Sequence, residues 1–186
     1  MTAVNWRDVK QPIRYPWQWF KHCIVLLPAL LLAPAGALAQ QANAAIPNWT
    51  LATVKNPLTQ QEECMLQSAK VSISDGYGEA DVTLLISERD LAAVTTSTID
   101  ASFNDLRLVI DEGNPIQTKQ VVGEKTVVFE QDMAAIVAQF KKGYAVKVYL
   151  RFWPTWPATE SFPAQFSLRG FTKAYEGLAN CHAPVQ

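Results

Sequence analysis

Histidine is almost absent from this chain: there are two in 186 residues, His22 near the start and His182 near the end. A Ser-His-Asp arrangement needs an imidazole seated beside its nucleophile and oriented by a third group. His182, close to a terminus that frays easily, is a poor base. Cysteine is also scarce, with three residues, and a metal site needs more ligands than the distant Cys64 and Cys181 and the neighbouring His182 would offer. Cations are not in excess either. Lys and Arg number 16 against 17 Asp and Glu, for a net charge of -1, and no basic stripe runs along the chain, which argues against nucleic acid as a partner. Beyond residue 39 no apolar run approaches the ~20 residues a membrane-crossing helix needs. Nor does that part hold a repeat or a low-complexity tract.

The N-terminus, by contrast, is strongly patterned. Arg7, Lys10, Arg14 and Lys21 against Asp8 make a basic region, an apolar run covers residues 23–32, and Ala37, Leu38 and Ala39 follow. This is the three-part layout of a secretory signal peptide, with small residues where the peptidase reads before a cut after Ala39. Pro28 and Pro34 interrupt a run already too short to serve as an anchor. The expectation is a periplasmic or secreted protein: a signal peptide over 1–39, a flexible leader over 40–47 and one β-rich domain over 48–186, with no membrane span once the signal is cut. Since the signal carries +4 - 1 = +3, the remainder has a charge of -1 - 3 = -4.

Removal of Cys23 with the signal leaves Cys64 and Cys181. Two cysteines in an oxidising compartment are most simply one disulfide. Such a bridge closes a very long loop and confers on the order of 4 to 5 kcal/mol on the chain-entropy model.

From Trp49 onward, short alternating runs punctuated by turn residues recur about every ten positions. Strands are expected over 49–54, 64–73, 80–87, 91–99, 106–111, 121–129, 144–153 and 164–168, with a break inside 121–129 at Gly123, Glu124 and Lys125. Two segments change period. Met133, Ile136, Val137 and Phe140 fall on one helical face, with Asp132 placed to cap it and Gly143 to stop it. Phe171, Ala174, Tyr175 and Leu178 repeat the same spacing. The connections are too short for parallel crossovers. The fold class expected is therefore mainly β: an antiparallel sandwich or open barrel of about eight strands with two short helices, one of them C-terminal and pinned by Cys181.

Candidate chemistry is thin. Asp75, Glu79 and Asp81 flank a glycine turn, and Asp100, Asp105 and Asp111 flank a strand; such carboxylates are mostly solvated turn residues, and the ligand run is too sparse for a calcium loop. No catalytic residue, metal site or cofactor is expected. More unusual is residues 149–157, where Trp153 and Trp156 are each followed by proline and Arg151 stands close by. The plainer expectation is that Phe152 or Trp153 enters the core at a strand end and Trp156 caps the sandwich. The alternative makes Arg151, Trp153 and Trp156 a binding surface for a sugar ring or a protein partner.

Leu168, Gly170, Phe171, Ala174 and Leu178 reproduce the pattern L-x-G-F-x-x-A-x-x-x-L, which resembles the C-terminal signature of the invasion-associated locus B family of exported bacterial proteins. Trp49, the strand end at Leu108, Val109, Ile110 and Asp111, the helix before Gly143 and the signal peptide follow a similar order. Members of that family carry a further cysteine pair in the region of 118–127, which this chain lacks. The resemblance implies a β-sandwich-like fold and a role at the bacterial envelope or host surface, with an envelope or host protein, or a glycan, as partner. It carries over no catalytic residue. Together these readings point to a non-enzymatic binding or accessory protein, with a carbohydrate-binding or carbohydrate-active protein as the alternative.

Overall fold

Alternation of apolar and polar side chains puts far more of the described chain into strands than into helices, because successive residues of a strand face opposite sides of a sheet. The computed structural model describes residues 47–157 and 159–181; the expected signal peptide, nearly all of the leader and His182 lie outside the described residues. Eleven strands and two helices follow in order. They are β1 (Trp49–Lys55), β2 (Glu62–Ser68), β3 (Val71–Ser74), β4 (Glu79–Ile86), β5 (Leu91–Thr95), β6 (Arg107–Ile110), β7 (Ile116–Gln117), β8 (Gln120–Val122) and β9 (Thr126–Phe129), then α1 (Met133–Lys142), β10 (Ala145–Leu150), β11 (Phe162–Ser167) and α2 (Phe171–Leu178).

The strands form two antiparallel sheets, one of seven strands in the order β1-β2-β4-β5-β9-β8 with β3 also on β4, and one of four in the order β11-β10-β6-β7. Their inner faces share one core, to which Leu84, Ile86, Val127 and Phe129 contribute from the first sheet and Leu108, Val146, Val148, Leu150 and Phe166 from the second. The molecule is thus the expected mainly β, sandwich-like fold with a C-terminal helix. Strand β10 shows the sequence logic most clearly: Val146, Val148 and Leu150 are fully buried, and the residues between them are not. Each such side chain contributes roughly 1.5–3 kcal/mol by leaving water.

Three details account for eleven strands where about eight were expected. The run over 64–73 is divided at Ala69 and Lys70 into β2 and β3, both of which pair with β4. At the division Ser68 Oγ accepts a hydrogen bond from Leu84 N–H at 2.9 Å. The run over 121–129 turns back at Gly123 and Glu124, both at positive φ, giving β8 paired with β9. Strand β7, two residues long, was too short to produce a periodic signal.

Helix α1 matches its expected span. Asp132 caps it by accepting from Ala135 N–H at 3.1 Å, and Ile136, Val137 and Phe140 are its buried face. Gly143 ends it for a different reason from the one expected. Its φ is -80°, open to any residue, but a Cβ there would meet Leu168 Cδ1 at 2.9 Å and Ile110 Cγ2 at 3.0 Å. Close approach, and not backbone conformation, requires the glycine.

Helix α2 starts at Gly170, whose φ of 87° is left-handed. Phe171 is fully buried and meets Trp49 of β1 edge-on at 5.1 Å and Phe140 of α1 at 5.2 Å. The Trp49 indole donates to the Ser167 carbonyl at 2.8 Å. Three elements distant in sequence therefore converge on one aromatic cluster. Beyond the helix, Cys181 is bonded to Cys64 of β2, with Cα atoms 5.9 Å apart. Among the described residues no helix is long and apolar enough to cross a membrane.

Candidate functional site

Strands β10 and β11 pair from Ala145↔Ser167 to Leu150↔Phe162, so the loop over 151–161 and the α2 cluster lie at opposite ends of one hairpin. Six residues of strand separate them by roughly 20 Å. The loop begins by pairing with the β5–β6 connection through a bridge between Ile99 and Phe152. Asp100 N–H donates to the Arg151 carbonyl and Trp153 N–H to the Thr98 carbonyl, both at 2.9 Å. Phe152 turns into the core and lies 6.2 Å from Phe162 in a stacked arrangement.

On the opposite side of the backbone, Arg151 and Trp153 meet different fates. Arg151 is only 7% exposed. Its Nε donates to Asp105 Oδ2 at 2.9 Å, Nη2 reaches the same oxygen, and Nη1 donates to the Thr159 carbonyl. Phe103 covers the guanidinium at 4.4 Å from its ring centroid. A charge taken out of water must be paired and hydrogen-bonded to be tolerated. Arg151 is accordingly not part of an exposed binding surface, as the sequence suggested; it is the foundation that fixes the loop to the β5–β6 connection and closes the loop's return on itself. The second oxygen of Asp105, Oδ1, is buried with no hydrogen-bond partner among the described residues, so the guanidinium is what compensates this carboxylate for lost hydration.

Trp153 is 66% exposed and Trp156 80% exposed. Phe152, and not Trp153, is the core residue of this segment, and Trp156 does not cap the sandwich. Its backbone is nevertheless held firmly. Thr155, between the two tryptophans, is buried, and its hydroxyl donates to the Asp100 carboxylate. The Trp156 carbonyl accepts from the Tyr77 phenol. The indoles point to solvent because the residues between and around them point inward.

Tyr77 belongs to the β3–β4 turn, itself shaped by Asp75. One Asp75 oxygen accepts from Tyr77 N–H at 3.0 Å and Gly78 N–H at 2.7 Å, while the other accepts from the Ser97 hydroxyl at 2.7 Å. These bonds, led by the Tyr77 N–H and the Ser97 hydroxyl, hold the Asp75 carboxyl below its ordinary pKa. At Asp100 burial pushes the pKa up, but the Ser102 and Thr155 hydroxyls, the Ser102 N–H and the charge of Arg151 together outweigh it and leave the carboxyl below its usual range. Three loops are thus laced together at one end of the sandwich, and they display Tyr77, Phe103, Trp153 and Trp156, each more than half exposed.

The carboxylates that drew notice in the sequence are mostly occupied structurally. Asp81 binds Lys70 at 2.7 Å and the Ser72 hydroxyl at 2.5 Å. Asp111 accepts from the N–H groups of Tyr144 at 3.0 Å and Ala145 at 2.9 Å. Asp75, Asp100 and Asp105 hold the aromatic end together, and Glu79 is exposed. Sequence reasoning missed the supporting roles of Asp100 and Asp105 and the presence of Tyr77 and Phe103 beside the tryptophans. Their separations in sequence, 55 residues for Asp100 and Thr155 and 79 for Tyr77 and Trp156, leave no local pattern to read. Open grooves flank α2 at the other end, one lined by Glu63, Glu88, Arg89 and the disulfide, another by Trp49, Arg169 and Lys173. Among the described residues no group of three or more His, Cys, Asp or Glu side chains is placed to hold a metal ion.

Compared with known proteins, the chain matches no family model, no curated protein and no solved structure. Fold and site together define a two-sheet antiparallel β domain, closed at one end by a disulfide-linked helix and presenting a braced aromatic loop at the other.

Proposed function

We propose that this chain is an exported, non-enzymatic binding protein of the bacterial envelope, periplasmic or secreted, akin to the invasion-associated locus B proteins, and that it engages its partner through the aromatic end. One observation carries the reading: two tryptophans are held in water on a backbone fixed by Arg151, Thr155 and Tyr77. Large apolar rings normally leave water on folding, so bracing them outward gives a ready contact surface, and aromatic anchors of this kind dominate binding energy at interfaces. The engagement of Asp75, Asp81, Asp100, Asp105 and Asp111 in structural bonds supports a binding role over an acid-base one. The N-terminal pattern, the Cys64–Cys181 bridge and the signature over 168–178 support export and the family likeness.

A photo-crosslinking residue at position 156, in protein expressed in its native envelope, tests the proposal. Crosslinked product is expected at 156 and not at Tyr144, an equally exposed aromatic at the far end of β10. The protein recovered should begin at Gln40 and carry no free thiol. Retention in the cytoplasm with reduced cysteines, or crosslinks indifferent to position, would overturn it.

A further inference from the structure

Trp153 and Trp156 differ from Tyr77 and Phe103 in having no partner for their rings among the described residues. Tyr77 is tied to the Trp156 carbonyl and Phe103 lies over Arg151, whereas among the described residues neither indole has a hydrogen-bond partner or another ring in contact. Each therefore offers a separate flat face and an unclaimed N–H donor. Thr159 and Glu160, exposed in the same loop, add a free hydroxyl and a free carboxylate. The loop beneath all four is pinned at Phe152, Thr155, Trp156 and Thr159, so binding has little loop ordering left to impose.

The charges around the rings narrow the ligand. The β8–β9 turn joins this end where the Glu124 and Lys125 carbonyls accept from Ile99 and Thr95 N–H. With the Arg151–Asp105 pair set aside, Asp75, Asp100, Glu124 and Glu160 stand on the loops of this end against Lys125, and Arg107 is engaged over the Tyr149 ring at 3.8 Å. Anionic lipid surfaces and acidic polymers call for clustered cations, which this end does not provide. Flat apolar faces edged by N–H, hydroxyl and carboxylate groups instead match a pyranose chain, whose rings have C–H faces and O–H rims.

Building on the function proposed above, we infer that the aromatic end binds a neutral, hydroxyl-rich saccharide, stacking sugar rings on Trp153 and Trp156 with Thr159 and Glu160 holding ring hydroxyls. The two indoles are not in contact, so they address different rings of an oligosaccharide, and affinity rises with chain length beyond a single sugar.

Titration calorimetry of the secreted, disulfide-intact protein provides the test, with chitohexaose and cellohexaose as neutral probes, polygalacturonate as an acidic one and phosphatidylglycerol vesicles as a membrane. Saturable binding is expected for at least one neutral hexaose and weaker binding for its disaccharide. Trp153→Ala and Trp156→Ala should each weaken it about tenfold, the factor corresponding to 1.4 kcal/mol. Trp156→Phe, which keeps a flat face, should restore part of the loss, and Tyr144→Ala should change nothing. Absence of binding to both neutral probes, preference for the acidic polymer or the vesicles, or tryptophan variants that bind as tightly as the parent would overturn the inference. Crosslinking at position 156 distinguishes the two failures. Position-specific envelope crosslinks without saccharide binding leave the binding-protein reading standing and remove the saccharide; loss of both removes both.

Discussion

Reduction of the Cys64–Cys181 bridge is the perturbation whose size can be worked most directly. The bridge spans 117 residues of sequence. Freeing a loop of that length returns to the unfolded chain an entropy that amounts to about 5 kcal/mol at 25 °C on the chain-entropy model, comparable with the whole stability of many domains. For the roughly 135 residues from 47 to 181, an unfolding entropy of ~2.1 cal/mol/K per residue gives about 0.28 kcal/mol/K, so the midpoint should fall by about 17 °C. The folded structure should change little, because Phe171 and Leu178 stay buried and contribute roughly 1.5–3 kcal/mol each. Thermal and urea melts of oxidised protein, reduced protein and the Cys64→Ala/Cys181→Ala variant should therefore start from the same native near-ultraviolet dichroism and differ in midpoint. A loss below about 2 kcal/mol, or a reduced protein whose native spectrum has already collapsed, would refute the reasoning. The second outcome would mean that the bridge, and not the Trp49, Phe140 and Phe171 cluster, seats α2.

Arg151→Ala should cost about 3 kcal/mol, the low end for breaking a buried pair because Asp105 keeps 21% of its side chain exposed. In urea melts Arg151→Met/Asp105→Leu should recover most of that loss, and a single variant within about 0.5 kcal/mol of the parent would deny Arg151 its supporting role. The two glycines flanking the β10–β11 hairpin should respond oppositely to side-chain type. Gly143→Ala should lose about 1–3 kcal/mol by overpacking and Gly143→Asn more, whereas at Gly170 strain from the positive φ should make Ala cost roughly 1–2 kcal/mol and Asn less; thermal midpoints that reverse this order would count against the assignment. Acid sensitivity should follow Asp75 and Asp100, whose carboxyls titrate lower in the fold than their ordinary 3.8. Unfolded chains bind these protons first as pH falls, so the stabilisation is complete above that value and declines below it toward the folded pKa. Stability measured across pH 2–6 (roughly the range in which carboxyls titrate) should fall less steeply in Asp75→Asn and Asp100→Asn than in the parent, and equal slopes would contradict the bonding described.

What could be read along the chain was whatever repeats at short period. Val146, Val148 and Leu150 alternate, Ile136, Val137 and Phe140 lie on one helical face, and Asp132 caps at a fixed offset; from these followed the mainly β class, both helices and most strand positions. Two cysteines left by elimination sufficed for the bridge, because pairing a single pair needs no geometry. Tertiary structure alone decided which face of the aromatic loop meets water. Arg151 and Trp153 share one side of the backbone, yet Asp105, Phe103 and the Thr159 carbonyl bury the arginine and leave the tryptophan out. Thr155 is drawn inward by Asp100 and so turns Trp156 outward. Gly143 reads as a helix stop from its place after two lysines, but the reason for it is contact with Leu168 and Ile110. Local pattern encodes how a segment pairs and which side is apolar, since period and propensity act over a few residues. Exposure of a particular ring depends on partners 46 to 79 residues away, and only the folded chain brings those together.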